Sequence, residues 1–381
     1  MLQEIFMNPL PLPAHHNQLI DTARQLIEPL KDKGLRAAFL FGSVAWGDAD
    51  PASDLDLMLL LDQPVGYREV TRIRLADFLK HPQPGGPLFA DLDRISAEAF
   101  VQGVGAGSWV YRVVNSIILL DTDNFYAQLR DEISSAFLQP SARKERFLAR
   151  QKLVEESRTL MLQSIDKDAM LAALYARQTL QDAGAALIEL GGMRASPSHF
   201  IDSLEQALHN FKTNLFEPCL TAFALNASTE AIQKSRDAYD LCAEALKHWV
   251  EHTEIGNLLS VEDRAWAQHV YGQLTYEEIE HKVTSLREQK RLPALLYYLD
   301  GLLQIPIRID IGNIFLLRTK GSSGRMSLPD FMLALRQEPA LYKAWTEALR
   351  FPDNPKYILE ISELATQLLN VGHAAVEAGT Y

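Results

Sequence analysis

Two short apolar runs, residues 36–41 (RAAFLF) and 54–61 (DLDLMLLL), flank a loop rich in Gly, Asp, Pro and Ser. Both runs read as strands bounded by chain-breaking residues. The second is almost wholly apolar after Asp56, the pattern of a strand buried on both faces. Asp54 and Asp56 stand at i and i+2, so a strand aims both carboxylates at one face. Two carboxylates side by side repel each other unless a cation lies between them. The first strand ends in Gly42-Ser43, with ten residues between Ser43 and Asp54. Glycine there permits a tight turn and close backbone approach. If a helix begins directly after it, free N–H groups and the Ser43 hydroxyl form a site for phosphate oxygens. The cation that suits such a strand edge is Mg²⁺, a hard ion that prefers oxygen ligands.

The rest of the first 124 residues alternates helix and strand signals. Residues 17–33 show helical spacing of Leu19, Ile20, Ala23, Leu26, Ile27 and Leu30, ended by Gly34. Residues 70–80 read as a helix, and residues 81–87 (HPQPGGP) as a break. Residues 88–95 (LFADLDRI) alternate as a half-buried strand should, Ser96 is placed to cap a short helix, and residues 116–120 form a fourth strand candidate. Beyond residue 124 the periodicity is helical over 125–138, 142–164, 169–190, 200–214, 229–251, 276–289, 293–304 and 358–378. Only residues 305–317 (IPIRIDIGNIFLL) hint at extended structure. The expected fold is α+β: a small mixed sheet with helices over residues 1–124, then a mostly helical region over 125–381, divisible near Gly256.

The pattern Phe41, Gly42, Ser43, a gap of ten, then Asp54, Leu55 and Asp56 resembles the motif of the polymerase-beta-type nucleotidyltransferases. The whole stretch looks most like the minimal and the antibiotic-modifying (aminoglycoside, lincosamide) members. The resemblance covers about residues 17–124 and is specific for the superfamily, not for a substrate. It implies a third carboxylate on a neighbouring strand. Asp91 and Asp93 both qualify and share one face of their strand; Asp91 is favoured because it lies nearer the strand's middle. It further implies metal-dependent transfer of a nucleoside monophosphate, with ATP the family's usual donor, to a hydroxyl of a small-molecule acceptor. Pyrophosphate would leave. Asp54, Asp56 and Asp91 would then be metal ligands and catalytic residues, with two Mg²⁺ (or Mn²⁺) ions, and Gly42 and Ser43 would bind the nucleotide phosphates. The alternatives are a toxin–antitoxin or regulatory nucleotidyltransferase acting on a protein or tRNA, and a non-catalytic nucleotide-binding module.

Relatives often carry a basic residue just after Gly-Ser, whereas this loop continues Val44-Ala45-Trp46. Arg143, Arg146 and Arg150, at i, i+3 and i+7 of one helix face, are a candidate replacement beside the plainer reading of a solvated basic face. A general base from the helical half has three candidates, Glu155, Glu156 and Glu189. Weaker signals are Arg194-x4-His199, which has the spacing of a ribonuclease motif, and the Gly-rich run from Lys320 to Arg325, which reads as a surface turn. Glu277 and His281 are expected at the surface.

Bulk properties narrow the partners. The net charge of -12 argues against broad binding to nucleic acid or anionic membranes. An acidic helical wall would suit a cationic acceptor. Cys219 and Cys242 lack CxxC spacing, so reduced thiols are expected and neither a zinc site nor a disulfide framework. No signal peptide and no run of about 18 apolar residues is present, so the expected setting is cytoplasmic, without membrane contact. A homodimer is left open.

Overall fold

A computed structural model describes residues 14–31, 34–49, 53–63, 69–79, 88–107, 109–196, 199–225, 228–321, 324, 326–351 and 354–381. The helix α1 (Ala14–Ile27) runs into a short 3-10 turn at Glu28–Leu30, where Pro29 lacks the N–H that a longer helix would need. Then come β1 (Leu35–Phe41), the five-residue helix α2 (Gly42–Trp46), β2 (Leu55–Leu61), β3 (Glu69–Arg74), β4 (Phe89–Ser96), α3 (Ala97–Gly105), α4 (Val110–Val113), β5 (Ile117–Asp121) and α5 (Phe125–Phe137). The Ser96 hydroxyl accepts a hydrogen bond from the Ala99 N–H and so caps α3, as its position in the sequence suggested.

The strands form one mixed sheet in the order β3-β4-β2-β1-β5. Only the β2–β4 pair is parallel; β1 runs against both β2 and β5, and β3 against β4. Alternation along β2 divides the core. Leu55, Leu57 and Leu59 face α1, packing with Leu19, Ala23 and Ile27. Met58 and Leu60 face the other way, into a cluster with Phe39, Phe100 and Tyr126. There the Phe39 and Tyr126 rings stack 4.0 Å apart.

Residues 70–79, the described part of the stretch expected as a helix over 70–80, are not helical in that way. They form β3 and then a 3-10 turn, Leu75–Asp77. Val70, Thr71 and Ile73 are β-branched and stiff in a helix, and β4 offers them an antiparallel ladder. The expected break at 81–87 lies outside the described residues.

The second half is helical: α6 (Pro140–Ser164), α7 (Ala169–Leu190), α8 (Phe200–Asn210), α9 (Phe216–Ala222), α10 (Thr229–His252), α11 (Ile255–Leu258), α12 (Val261–Val270), α13 (Gln273–Glu288), α14 (Leu292–Leu302), a π turn (Leu303–Ile307), α15 (Arg308–Lys320), α16 (Leu328–Leu335), α17 (Pro339–Leu349) and α18 (Pro355–Ala378). The hint of extended structure at 305–317 is not realised. Its alternating isoleucines sort by helical spacing instead: Ile305 and Ile309 are exposed, Ile307 and Ile311 buried. Cys219 and Cys242 are buried free thiols, and burial pushes both up to about 12. Among the described residues no helix is long and apolar enough to cross a membrane.

By its contacts the chain groups into two units. One comprises Met1–Gln139 together with Glu277–Ser285; the other comprises Pro140–Tyr276 and Leu286–Tyr381. The middle of α13 thus belongs with the sheet, although it is distant in sequence.

Candidate active site

β2 and β4 run parallel with Asp56 opposite Asp91. Side chains at matched positions of adjacent strands point to the same face. Asp54 lies two residues before Asp56 and therefore on that face as well. The three carboxylates each offer an oxygen within 4.8 Å of the others, a group able to hold a metal ion. Asp93, the alternative to Asp91, is 2 % exposed and ion-pairs with Arg112, whose guanidinium lies over the Phe41 ring.

Gly42 is where the sequence matters most locally. Its φ is +70°, in the left-handed region that side chains disfavour. A Cβ built there would lie 1.7 Å from Asp56 Oδ2. The glycine therefore yields the space that the Asp56 carboxylate fills. Ser43, in the first turn of α2, is 7 % exposed. The Trp46 indole N–H donates to the Tyr111 carbonyl at 3.3 Å, which ties this short helix to the chain after α4.

Positive charge reaches the triad from two directions. Arg72 on β3 stands opposite Asp91 in the ladder. Its Nε donates to Asp91 Oδ1 at 2.7 Å and its Nη2 to Asp91 Oδ2 at 2.6 Å, a bidentate pair. The same Nη2 lies 3.5 Å from Asp54 Oδ2. Arg72 Nη1 also pairs with Glu278 on α13. Next along, Arg74 Nη2 donates to Glu277 Oε1 at 2.6 Å. Lys282, four residues after Glu278 and so on the same helix face, is 7 % exposed. Burial and the Asp91 carboxylate push the Asp54 carboxyl above its ordinary range, while Arg72 and Lys282 pull it back.

Sequence reasoning missed Arg72 and Lys282. Arg72 was hidden by the helical reading of residues 70–80. Lys282 had no local signal, because its neighbours in space are more than 200 residues away in sequence. Glu277, expected at the surface, is instead half-buried in its pair with Arg74. The arginines of α6 are engaged elsewhere. Arg150 donates to Glu189 at 2.9 Å and to Asp182 at 3.2 Å, all within the second unit. Arg143 packs beside Gly192, and burial and Arg146 lower its pKa. Of the proposed bases, Glu155 and Glu156 are exposed and Glu189 is buried in the Arg150 pair. Arg194-x4-His199 and the run from Lys320 to Arg325 each contain positions outside the described residues.

A parallel strand pair thus bears three carboxylates next to a Gly-Ser turn. Residues 23–88 match the family model of the nucleotidyltransferase domain. The chain thus carries a nucleotidyltransferase domain of the polymerase-beta type, and the match includes Gly42, Ser43, Asp54, Asp56 and Arg72. Asp91 lies just past its end. A nucleotidyltransferase-like protein from Exiguobacterium sibiricum 255-15, of known crystal structure, aligns over 86% of this chain and 89% of its own. Identity is 11% and the TM-score 0.29, too loose a likeness to carry an argument. No curated protein sequence matches the chain.

Proposed function

We propose that the protein is a metal-dependent nucleotidyltransferase that moves a nucleoside monophosphate, with ATP as donor, onto a hydroxyl of a small-molecule acceptor. The observation that carries this reading is the convergence of Asp54, Asp56 and Asp91 within 4.8 Å beside Gly42. An all-carboxylate donor set suits a hard divalent ion such as Mg²⁺. The bidentate grip of Arg72 on Asp91 fits a cluster of carboxylates that gathers positive charge.

Asp54, Asp56 and Asp91 would hold the metal, which when bound shields the triphosphate and stabilises the entering and leaving oxygens. The acceptor hydroxyl oxygen forms a bond to the α-phosphorus. The bond from that phosphorus to the bridging oxygen breaks, and its electron pair leaves with pyrophosphate. The hydroxyl proton passes to Asp91. Gly42 and Ser43 hold phosphate oxygens. Arg72 and Lys282 supply the positive charge that the Val44-Ala45-Trp46 loop lacks. A net charge of -12 favours a small, cationic acceptor such as an aminoglycoside over tRNA.

The test is incubation of the full chain with α-labelled ATP, Mg²⁺ and separate pools of hydroxylated small molecules, proteins and tRNA. Label should pass to a small molecule, stop on addition of EDTA, and fall about 100-fold or more in Asp54→Asn, the scale of losing a charge-stabilising group at the reacting centre. Label on tRNA or protein would move the protein to the regulatory class. No label in any pool, with wild type equal to Asp54→Asn, would leave a nucleotide-binding module.

A further inference from the structure

One guanidinium serves three carboxylates at the edge of the triad. Arg72 lies on β3, opposite Asp91 in the antiparallel ladder. Its Nε and Nη2 donate to the two oxygens of Asp91 at 2.7 and 2.6 Å. The same Nη2 lies 3.5 Å from Asp54 Oδ2, and Nη1 pairs with Glu278 of α13. All three guanidinium nitrogens are engaged, and the side chain is only 9 % exposed. Glu278 belongs to the stretch Glu277–Ser285 that groups with the sheet, so the whole set lies within one unit.

Asp91 is thereby claimed twice. Both of its oxygens accept from Arg72, and one of them belongs to the group within 4.8 Å that could hold an ion. A guanidinium bonded to a carboxylate lowers that carboxylate's attraction for a second cation, and two cations close together in a partly buried site repel each other. Arg72 and a divalent ion are thus competitors for Asp91. Glu278 bears on the outcome because it pairs with the same guanidinium but is not one of the three triad carboxylates. A buried arginine that loses one carboxylate is costly unless another holds it. Glu278 removes that cost.

We propose that Arg72 is a built-in cation that competes with the metal for Asp91, and that Glu278 is the positioning residue that holds Arg72 when the ion takes Asp91. The inference rests on the metal-dependent reading above and deepens it. The donors that Asp91 gives up, Nε and Nη2, are then the ones that meet the triphosphate. Arginine suits this part better than lysine. Its planar fork can keep Nη1 on Glu278 while it presents two further nitrogens elsewhere.

The experiment measures Mn²⁺ binding to the full chain by calorimetry, without nucleotide. It compares wild type with Glu278→Gln, Arg72→Met, the double variant and Glu277→Gln. Glu278→Gln leaves Arg72 to Asp91 and should weaken Mn²⁺ binding about ten-fold, the scale of one charge-assisted hydrogen bond. Arg72→Met removes the competitor and should tighten binding about ten-fold. In the Arg72→Met background the Glu278 substitution should then change affinity by less than about two-fold, because the partner through which it acts is gone. Glu277→Gln removes the neighbouring charge, which pairs with Arg74, and should likewise stay within about two-fold. Wild-type affinity in Glu278→Gln, or an equal loss with and without Arg72, would overturn the proposal. So would weaker binding in Arg72→Met, which would make Arg72 a brace for Asp91. Should Arg72→Met not fold, the glutamate pair decides alone: equal losses in Glu278→Gln and Glu277→Gln would sink the idea. A wild type that binds no Mn²⁺, like Asp54→Asn, overturns this inference together with the metal-dependent reading. A wild type that binds Mn²⁺ without these differences overturns this inference alone.

Discussion

Gly42 shows how one residue can set a site it does not chemically join. Its backbone adopts φ +70°, and the room a side chain would take is occupied by the Asp56 carboxylate. Alanine there meets two penalties at once. The left-handed backbone costs about 1–2 kcal/mol for a residue with a Cβ. Asp56 must also turn away from Asp54 and Asp91. Gly42→Ala should therefore lower the melting temperature and weaken Mn²⁺ binding about ten-fold or more, a loss of roughly 1.4 kcal/mol at the metal. Unchanged Mn²⁺ affinity in calorimetry would show that Asp56 is dispensable for the ion. Much of this was legible in the sequence. Asp54 and Asp56 announce themselves by spacing, and Gly42 by its place at a strand end. The collision with Asp56 was not legible, because it depends on β1 and β2 running antiparallel with Phe41 opposite Asp56.

At the level of elements, the sequence conveyed those whose periodicity is long or whose ends are marked. Helix α7 was readable to the residue over Ala169–Leu190, and its first turn is capped by Asp168. The six residues of β3 were not, since so short a stretch fits either periodicity and the deciding partner, β4, lies beyond the break. That misreading concealed Arg72. The third case is α13, correctly read as a helix but given no role. Its Glu278 braces Arg72, and Lys282 bears on Asp54. In the transfer reading, Lys282→Met should raise the KM for ATP about ten-fold or more, the scale of a lost charge-assisted hydrogen bond, with a smaller effect on kcat. Arg150→Ala should do the opposite. It leaves Glu189, 3 % exposed, without its cation, and should cost about 2 kcal/mol or more of stability after allowing for the partial exposure of Arg150. Steady-state kinetics and denaturant melts on both variants separate the two roles. A KM shift in Arg150→Ala equal to that in Lys282→Met would return α6 to the list of triphosphate ligands.

On the scale of the whole molecule, the chain leaves the first unit at Gln139 and rejoins it only for Glu277–Ser285. Composition along the sequence records the change from mixed to helical texture but cannot record a return, because a helix carries no mark of the sheet it serves. The second unit has its own internal tension in Asp310, whose Oδ2 is buried without a partner among the described residues. Burial and, less strongly, the Asp263 carboxylate raise the Asp310 pKa from 3.8 to about 7. A raised folded-state value means that the fold binds this proton more tightly than the unfolded chain does. The stability it contributes is full below about pH 3.8 and is lost as pH rises through about 7. A shift of about three units sets a ceiling of about 4 kcal/mol. Asp310→Asn keeps the group neutral at every pH. At pH 8 the variant should therefore be more stable than wild type by on the order of 2–4 kcal/mol, and the gap should shrink towards zero by about pH 4. Urea melts of both proteins across that range supply the measurement. A gap that stays constant with pH would place the proton uptake on another group.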